Sequence, residues 1–192
     1  MTKTAMTDHP IISHIAERWS PRAFSDRPIS EDDLMSLFEA ARWAASAYNV
    51  QPWRFVYAHR DDPEFETLVA CLVDGNAAWA KNAAVLLIAS AKTAHDNGNA
   101  NAHAKHDLGQ AMAMLSVEAT ARSISIHQMA GFHHDKAREL LGVPDGFEPT
   151  TAAALGYLGD PESLSESLHQ RELAPRVRKT VAEIAFKGKW TG

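Results

Sequence analysis

Apolar positions along this chain switch between helical spacing and short uninterrupted runs. Ile11, Ile12 and Ile15 have a helix-like spacing that runs into Arg18, and a turn region with Pro21 and Pro28 follows. Ser30 followed by Asp33 reads as a capping box, in which each side chain satisfies an otherwise unpaired backbone donor. Leu34, Leu37, Phe38 and Ala41 then form one apolar helical face, and this helix should stop before Asn49 to Pro52. Arg54 to Ala58 is predicted as a short strand, and Val85 to Ala89, a fully apolar run, as another. Lys92 to Lys105, with Asn97, Gly98, Asn99 and Asn101, reads as an exposed loop. Asp107 to Arg122 follows as a long helix with Leu108, Ala111, Met112, Leu115 and Ala119 facing inward, its methionines filling core space. Asp135 to Leu141 should be a short helix closed by Gly142, with Pro144 just beyond. Thr151 to Tyr157 is predicted as a buried strand ended by Gly156 and Gly159, and the tail from Leu164 to Gly192 mixes helical and extended character with basic residues. Helices with few, separated strands imply an α+β domain rather than a regular βαβ array. No internal repeat appears, and the loop at Lys92 to Lys105 would leave neither half a convincing core, so residues 1–192 are expected to form one domain.

Composition narrows the function classes. With 45% hydrophobic and 22% charged residues the chain is ordinary for a globular protein, and its net charge of −5 argues against a general nucleic-acid binder. Local basic residues could still hold one small phosphate. Cys71 is the only cysteine, which excludes an intrachain disulfide and fits a reducing compartment. Met1 to Pro10 is polar, without the apolar core of a secretory signal, and Ala83 to Ala91 is too short to span a bilayer as a helix. A cytoplasmic protein without membrane partners is the expectation.

Three constellations could carry chemistry. In Arg18-Trp19-Ser20-Pro21-Arg22-Ala23-Phe24, alternate positions of an extended stretch point to one side, so Arg18, Ser20 and Arg22 could converge on an anion. Guanidinium suits phosphate because its planar fork makes paired, charge-assisted bonds. Taken alone, a solvated loop explains these arginines as well. In Ala44 to Phe55 a helix ends in a polar loop before a strand, and Ser46, Asn49 and Gln51 could bond the edge of a heterocycle or merely cap the helix. In Arg171-Glu172-Leu173-Ala174-Pro175-Arg176-Val177-Arg178-Lys179, Arg176 and Arg178 share one side of an extended chain, or belong to a basic, solvated tail.

Read together, Arg-x-Ser-x-Arg-x-Phe, then Ala-Arg-Trp-Ala-x-Ser-x-x-Asn-x-Gln-Pro-Trp-Arg-Phe, then Arg-x-Arg-Lys resemble the FMN-dependent nitroreductase family. Gly75-Asn76-x-x-Trp79, His106-Asp107-Leu108-Gly109-Gln110-Ala111, His127-Gln128-Met129-Ala130-Gly131-Phe132 and Ala154-Leu155-Gly156-Tyr157 fall in the same order, so the resemblance spans roughly residues 11 to 190. It implies a nitroreductase-like fold: a central, mostly antiparallel sheet flanked by helices, in an intertwined homodimer that exchanges C-terminal segments. It further implies that Arg18, Ser20, Arg176 and Arg178 hold the FMN phosphate, and that Arg22 and Asn76 contact the pyrimidine edge. Ser46, Asn49 and Gln51 would line the flavin from the opposite subunit. Gln128, Met129, Ala130 and Gly131 would pack against one ring face, with a backbone N–H near N5. The implied chemistry is ping-pong: NAD(P)H delivers hydride to the flavin and leaves, and an electron-poor small molecule (nitroaromatic, quinone or enone) takes its place. The protein then needs no nucleophile of its own.

Some positions depart from the family pattern. Ala45 and Ala84 stand where many members have proline, Trp79 where some carry a lysine, and Arg122-Ser123-Ile124-Ser125 lacks the glycine common after the long helix. His127, in the segment facing the flavin, is a candidate substrate-pocket residue or a structural hydrogen-bonder. His103, His106, His133 and His134 read as surface histidines rather than metal ligands, because a metal site needs three or four converging donors. Two other readings stay open here: a flavin-binding regulatory or storage module of the same fold, and a cofactor-free α+β interaction protein.

Overall fold

The computed structural model describes residues 3–192. Four antiparallel strands form one sheet in the order β1-β2-β4-β3, with β1 at Trp53–His59, β2 at Val85–Lys92, β3 at Ser125–Met129 and β4 at Phe147–Gly156. The apolar run predicted as a strand becomes β2, buried along nearly its whole length between two neighbours. Its side chains divide by the two-residue period of a strand. Leu87, Ala89 and Ala91 face α2 (Glu31–Arg42) and α5 (Ala104–Ala121), joined by Leu34, Leu37, Leu108, Met112 and Leu115. Leu86 and Ile88 face the other way, toward α3 (Phe65–Cys71), α4 (Asp74–Ala80) and α6 (His134–Leu140), with Phe65, Leu68, Trp79 and Ala137. Two short helices complete the chain, α1 at Ser13–Glu17 and α7 at Glu166–Leu173.

The α+β expectation holds, and the predicted elements differ from the observed ones mainly at their ends. The helices α3 and α4 and the strand β3 lie outside the predicted elements, and α7 falls in the tail read only as mixed; α4, α7 and β3 are too short to show a full period, whereas Phe65, Leu68, Val69 and Leu72 do carry the helical spacing of α3. The capping box is only half formed. Ser30 Oγ accepts from the Asp33 amide at 3.1 Å, but the Asp33 carboxylate accepts from the Ser30 hydroxyl at 2.8 Å and from Arg122 at 3.0 Å. An aspartate is one methylene shorter than the glutamate that normally reaches back to the N-cap amide. Met112 is in the core as expected, whereas Met114 on the opposite face of α5 is 47% exposed. The isoleucines of the first helical stretch are also turned outward.

Both helix ends that the sequence marks show left-handed residues. Gly142 (φ 62°) closes α6, and the Val143 amide returns to the Arg138 carbonyl at 3.0 Å. After α5 the same motif is built on Ser123 (φ 59°), with the Ile124 amide bonded to Ala119 O at 2.8 Å. That serine lies in Arg122-Ser123-Ile124-Ser125, the segment expected above to depart from the resembled pattern by lacking a glycine.

Candidate functional site: a cationic pocket beside Trp79

The loop after α1 is held against the end of β4 by backbone contacts. Ser25 N donates to Tyr157 O at 2.9 Å and Gly159 N to Ala23 O at 2.9 Å. A Cβ on Gly159 would lie 2.4 Å from the Phe24 carbonyl carbon, so only glycine permits this approach. Glu172 holds the loop from the other side. Its carboxylate, 1% exposed, accepts the Arg22 amide at 2.9 Å and the Ala23 amide at 3.1 Å and lies 3.8 Å from the Arg22 guanidinium. One buried acid on α7 therefore fixes the N-terminal loop onto the C-terminal segment.

That junction brings the two ends of the chain together. Arg18, Ser20 and Arg22 line one pocket of about 200 Å³ with Arg176 and Arg178, and Lys3 and Arg171 add two further cations to its wall. Arg18 Nη1 lies 3.4 Å from Ser20 Oγ. Arg176 donates to the carbonyls of Lys3 at 2.6 Å and Ala16 at 2.7 Å, and the Lys3 ammonium donates to the carbonyls of Glu172 and Ala174. Burial, and then the charge of Arg178, lower the pKa of Arg18 below its ordinary value. Arg176 is lowered by burial and by Arg18 and Arg178. Mutual repulsion among neighbouring cations is costly unless an anion enters, and among the described residues Glu172 is the one carboxylate ion-paired with the cluster. A phosphate monoester, with about 1.5–2 negative charges and three acceptor oxygens, matches this donor set.

Arg22 connects the pocket to a second group. Its guanidinium lies 5.9 Å from the Trp79 ring, and Trp79 packs on His127 with centroids 4.5 Å apart. Trp79 and Asn76 share one face of α4, being three residues apart. Asn76 Nδ2 donates to Gly131 O at 2.9 Å, and a Cβ on Gly131 would meet that nitrogen at 2.6 Å. Gln128 turns toward α5, donating to Ser116 Oγ at 3.2 Å, and Met129 is buried, so from this stretch it is the Gly131 backbone that meets Asn76. His127 Nδ1 lies 2.9 Å from Pro21 O; facing a carbonyl, it is the protonated nitrogen and the donor. Burial lowers this imidazole to about 4, outweighing that bond, with Arg22 adding to the effect. Within the chain, His127 braces the loop that carries Ser20 and Arg22.

Ser46, Asn49 and Gln51 lie elsewhere in the same chain, in the loop that leads into β1, the strand at the opposite edge of the sheet from β3. Ser46 Oγ accepts the Gln51 amide at 3.0 Å, and the buried Asp107 accepts the Ala47 amide at 3.0 Å. Tyr48, Asn49 and Gln51 all adopt left-handed φ of 50–56°, strain of a kind that clusters in ligand-contacting loops. None of the three predicted residues lines the cationic pocket of its own chain.

Comparison with known proteins fixes the lineage. The Nitroreductase family profile matches residues 15–157. The chain belongs to the nitroreductase family. This member is 38% identical to a solved oxidoreductase containing FMN, over 98% of this chain and 96% of that one, with a TM-score of 0.94. It is 37% identical over 129 residues to an uncharacterized 15.4 kDa protein of Mycolicibacterium smegmatis, covering 67% of this chain and 86% of the relative. A shorter match, 37% identical over 54 residues, covers 28% of this chain and 25% of the major NAD(P)H-flavin oxidoreductase of Aliivibrio fischeri.

In this nitroreductase-family chain, sequence reasoning missed Lys3 and, though it named the Arg171 to Lys179 stretch, gave Arg171 and Glu172 no role. The available signal was an acid inside a basic run, Arg171-Glu172, but only the fold turns Glu172 inward. Among the described residues no group of His, Cys, Asp and Glu is placed to hold a metal ion, and His103 and His106 meet edge to face at 6.2 Å. No helix among them is long and apolar enough to cross a membrane.

Proposed function

We propose that residues 1–192 form a single-domain, homodimeric flavoenzyme that uses FMN to pass hydride from NAD(P)H to an electron-poor small molecule, a nitroaromatic, quinone or enone, by a ping-pong mechanism. The observation that carries this reading is the meeting of Arg18, Ser20, Arg176 and Arg178 in one pocket. Bound FMN would supply reversible two-electron hydride chemistry, which no arrangement of side chains here provides.

The chain's own residues then have distinct tasks. Arg18, Ser20, Arg176 and Arg178 bind the phosphate. Arg22, preset by Glu172, places a positive charge where the reduced ring gathers negative charge. Asn76 keeps its amide oxygen and one N–H for the pyrimidine edge, and the backbone from Gln128 to Gly131 closes one ring face. Ser46, Asn49 and Gln51 serve the partner's flavin, consistent with their distance from the cationic pocket of their own chain. Exposed Ile11, Ile12, Ile15, Trp43 and Met114, and the apolar side chains Val177, Ile184 and Trp190 of the tail, supply surface for such an interface. The reading places the enzyme in the cytoplasm, where NAD(P)H is available.

The test begins with the visible absorbance of the purified protein and FMN release on denaturation. Arg18→Ala and Arg176→Ala should each weaken FMN binding by about 1.5–3 kcal/mol, roughly ten- to a hundredfold. Unchanged affinity in both variants would overturn the phosphate assignment. A monodisperse monomer that retains FMN would overturn the shared site. Bound flavin without NADH or NADPH oxidation in the presence of a quinone or nitroarene would favour a binding module.

A further inference from the structure

Two cations in the wall of the cationic pocket, Lys3 and Arg171, have no task among those assigned above. Arg171 sits at an exposed position of α7, whereas Lys3 is built into the pocket. The Lys3 ammonium donates to the carbonyls of Glu172 and Ala174, the latter at 2.8 Å, and stands 4.9 Å over the Trp19 ring. Trp19 separates Arg18 from Ser20 in the N-terminal loop, and Ala174 is two residues before Arg176. The attachment is reciprocal. Arg176 Nη1 donates to Lys3 O at 2.6 Å and to Ala16 O at 2.7 Å, and the Ala5 amide donates to the same Ala16 carbonyl at 2.8 Å. The lysine therefore grips the C-terminal segment while Arg176 grips the residues around Lys3.

An ammonium carries three donors, and the two carbonyls occupy two of them. Carbonyls leave its charge uncancelled. Among the described residues no carboxylate is ion-paired with Lys3, and Glu172 spends its own carboxylate on Arg22 and the Ala23 amide. Burial lowers the Lys3 pKa below its ordinary value; Glu172 opposes this, and Arg176 and then Arg22 add to it, so the lysine shares the field of the arginines. A free lysine stem loses rotamer entropy when it meets an anion. Here the stem is already fixed, so that cost is met by folding rather than by binding.

We propose that Lys3 is a further phosphate-binding residue of the flavin site: held by the Glu172 and Ala174 carbonyls, it gives its remaining N–H to the anion that Arg18, Ser20, Arg176 and Arg178 bind. The assignment rests on the FMN reading above. It brings the residues ahead of α1 into the cofactor site, and it makes the preference for a phosphorylated flavin depend on them.

Fluorescence titration of the whole chain, freed of flavin, with FMN and with riboflavin, which lacks the phosphate, tests this. Lys3→Gln removes the charge but keeps a side-chain N–H for a carbonyl. It should weaken FMN by about five- to tenfold, the loss of one partly exposed charge-assisted contact, and leave riboflavin unchanged. Lys3→Arg keeps the charge and should retain most of the wild-type affinity. Lys136→Gln, an equal charge change on α6 outside the pocket wall, should alter neither flavin. Circular dichroism confirms that each variant is folded. Phosphorus NMR of bound FMN supplies a readout that a merely structural lysine would not move. In Lys3→Gln the second ionisation of the phosphate should shift to higher pH, because one cation that favours the dianion is gone. FMN affinity in Lys3→Gln equal to wild type overturns the proposal. So does equal weakening of FMN and riboflavin, or an unmoved phosphate titration, either of which makes Lys3 a brace of the fold. In each of these cases Arg18→Ala still loses FMN selectively, which separates them from failure of the FMN reading. If that reading fails, the wild type shows no preference for FMN over riboflavin, and the Lys3 assignment falls with it.

Discussion

Replacing Glu172 tests the joint that assembles the cationic pocket. In the folded chain its carboxylate accepts from the amides of Arg22 and Ala23 and faces the Arg22 guanidinium, all within a residue 1% exposed. A hydrogen bond to a charged group contributes about 1.5–3 kcal/mol, and Glu172→Ala removes two such bonds. It also leaves Arg22 without its counter-charge among other cations. The expected loss is therefore about 3–5 kcal/mol, in the range found when one partner of a buried pair is deleted. Glu172→Gln keeps one carbonyl oxygen and should lose about half as much. Urea denaturation of the two variants and the wild type, with far-UV circular dichroism as the signal, measures this directly. FMN fluorescence quenching on the folded fraction supplies a second reading. Glu172→Ala should bind FMN more weakly, because Arg22 and Ser20 lose their fixed positions. Stability of Glu172→Ala within about 1 kcal/mol of wild type would refute the joint.

Two further substitutions probe single features. His127 is lowered from 6.5 to about 4 in the folded chain, so between these values the unfolded chain binds a proton that the folded chain does not. Stability should be complete above about pH 6.5 and fall as pH drops toward 4, by at most about 3 kcal/mol. In His127→Phe the part of that slope between about pH 5 and 6.5 should largely disappear, leaving the loss at lower pH from carboxylates such as Glu39; a slope unchanged there would show that other groups produce it. Ser123→Gly relieves a left-handed residue at the end of α5 and should stabilise by about 0.5–1 kcal/mol, raising the melting temperature by about 1–4 °C. An unchanged or lower melting temperature would show that the serine is not strained there.

Long periodic elements could be read from the chain alone. The Leu34 to Ala41 face, the long helix through Leu115 and the apolar run at Val85 all report burial on one or both sides, and burial is what the sequence pattern records. The α+β class and the order of motifs follow from these. Short elements such as α4, β3 and α7 take their form from neighbours, so their sequences carry little period of their own.

Among the candidate site residues the division is similar. Residue type alone marked Arg18, Arg22, Arg176 and Arg178 as able to hold an anion, because guanidinium chemistry is local. Whether they were solvated surface or one pocket was a question of distance between chain ends, and that was decided by the packing of the N-terminal loop on β4 and α7. Glu172, an acid in a basic tail by sequence, becomes the link between the two halves only because α7 turns it inward. Sequence specifies which groups can interact, and the long-range contacts of the sheet and its flanking helices decide which of them meet.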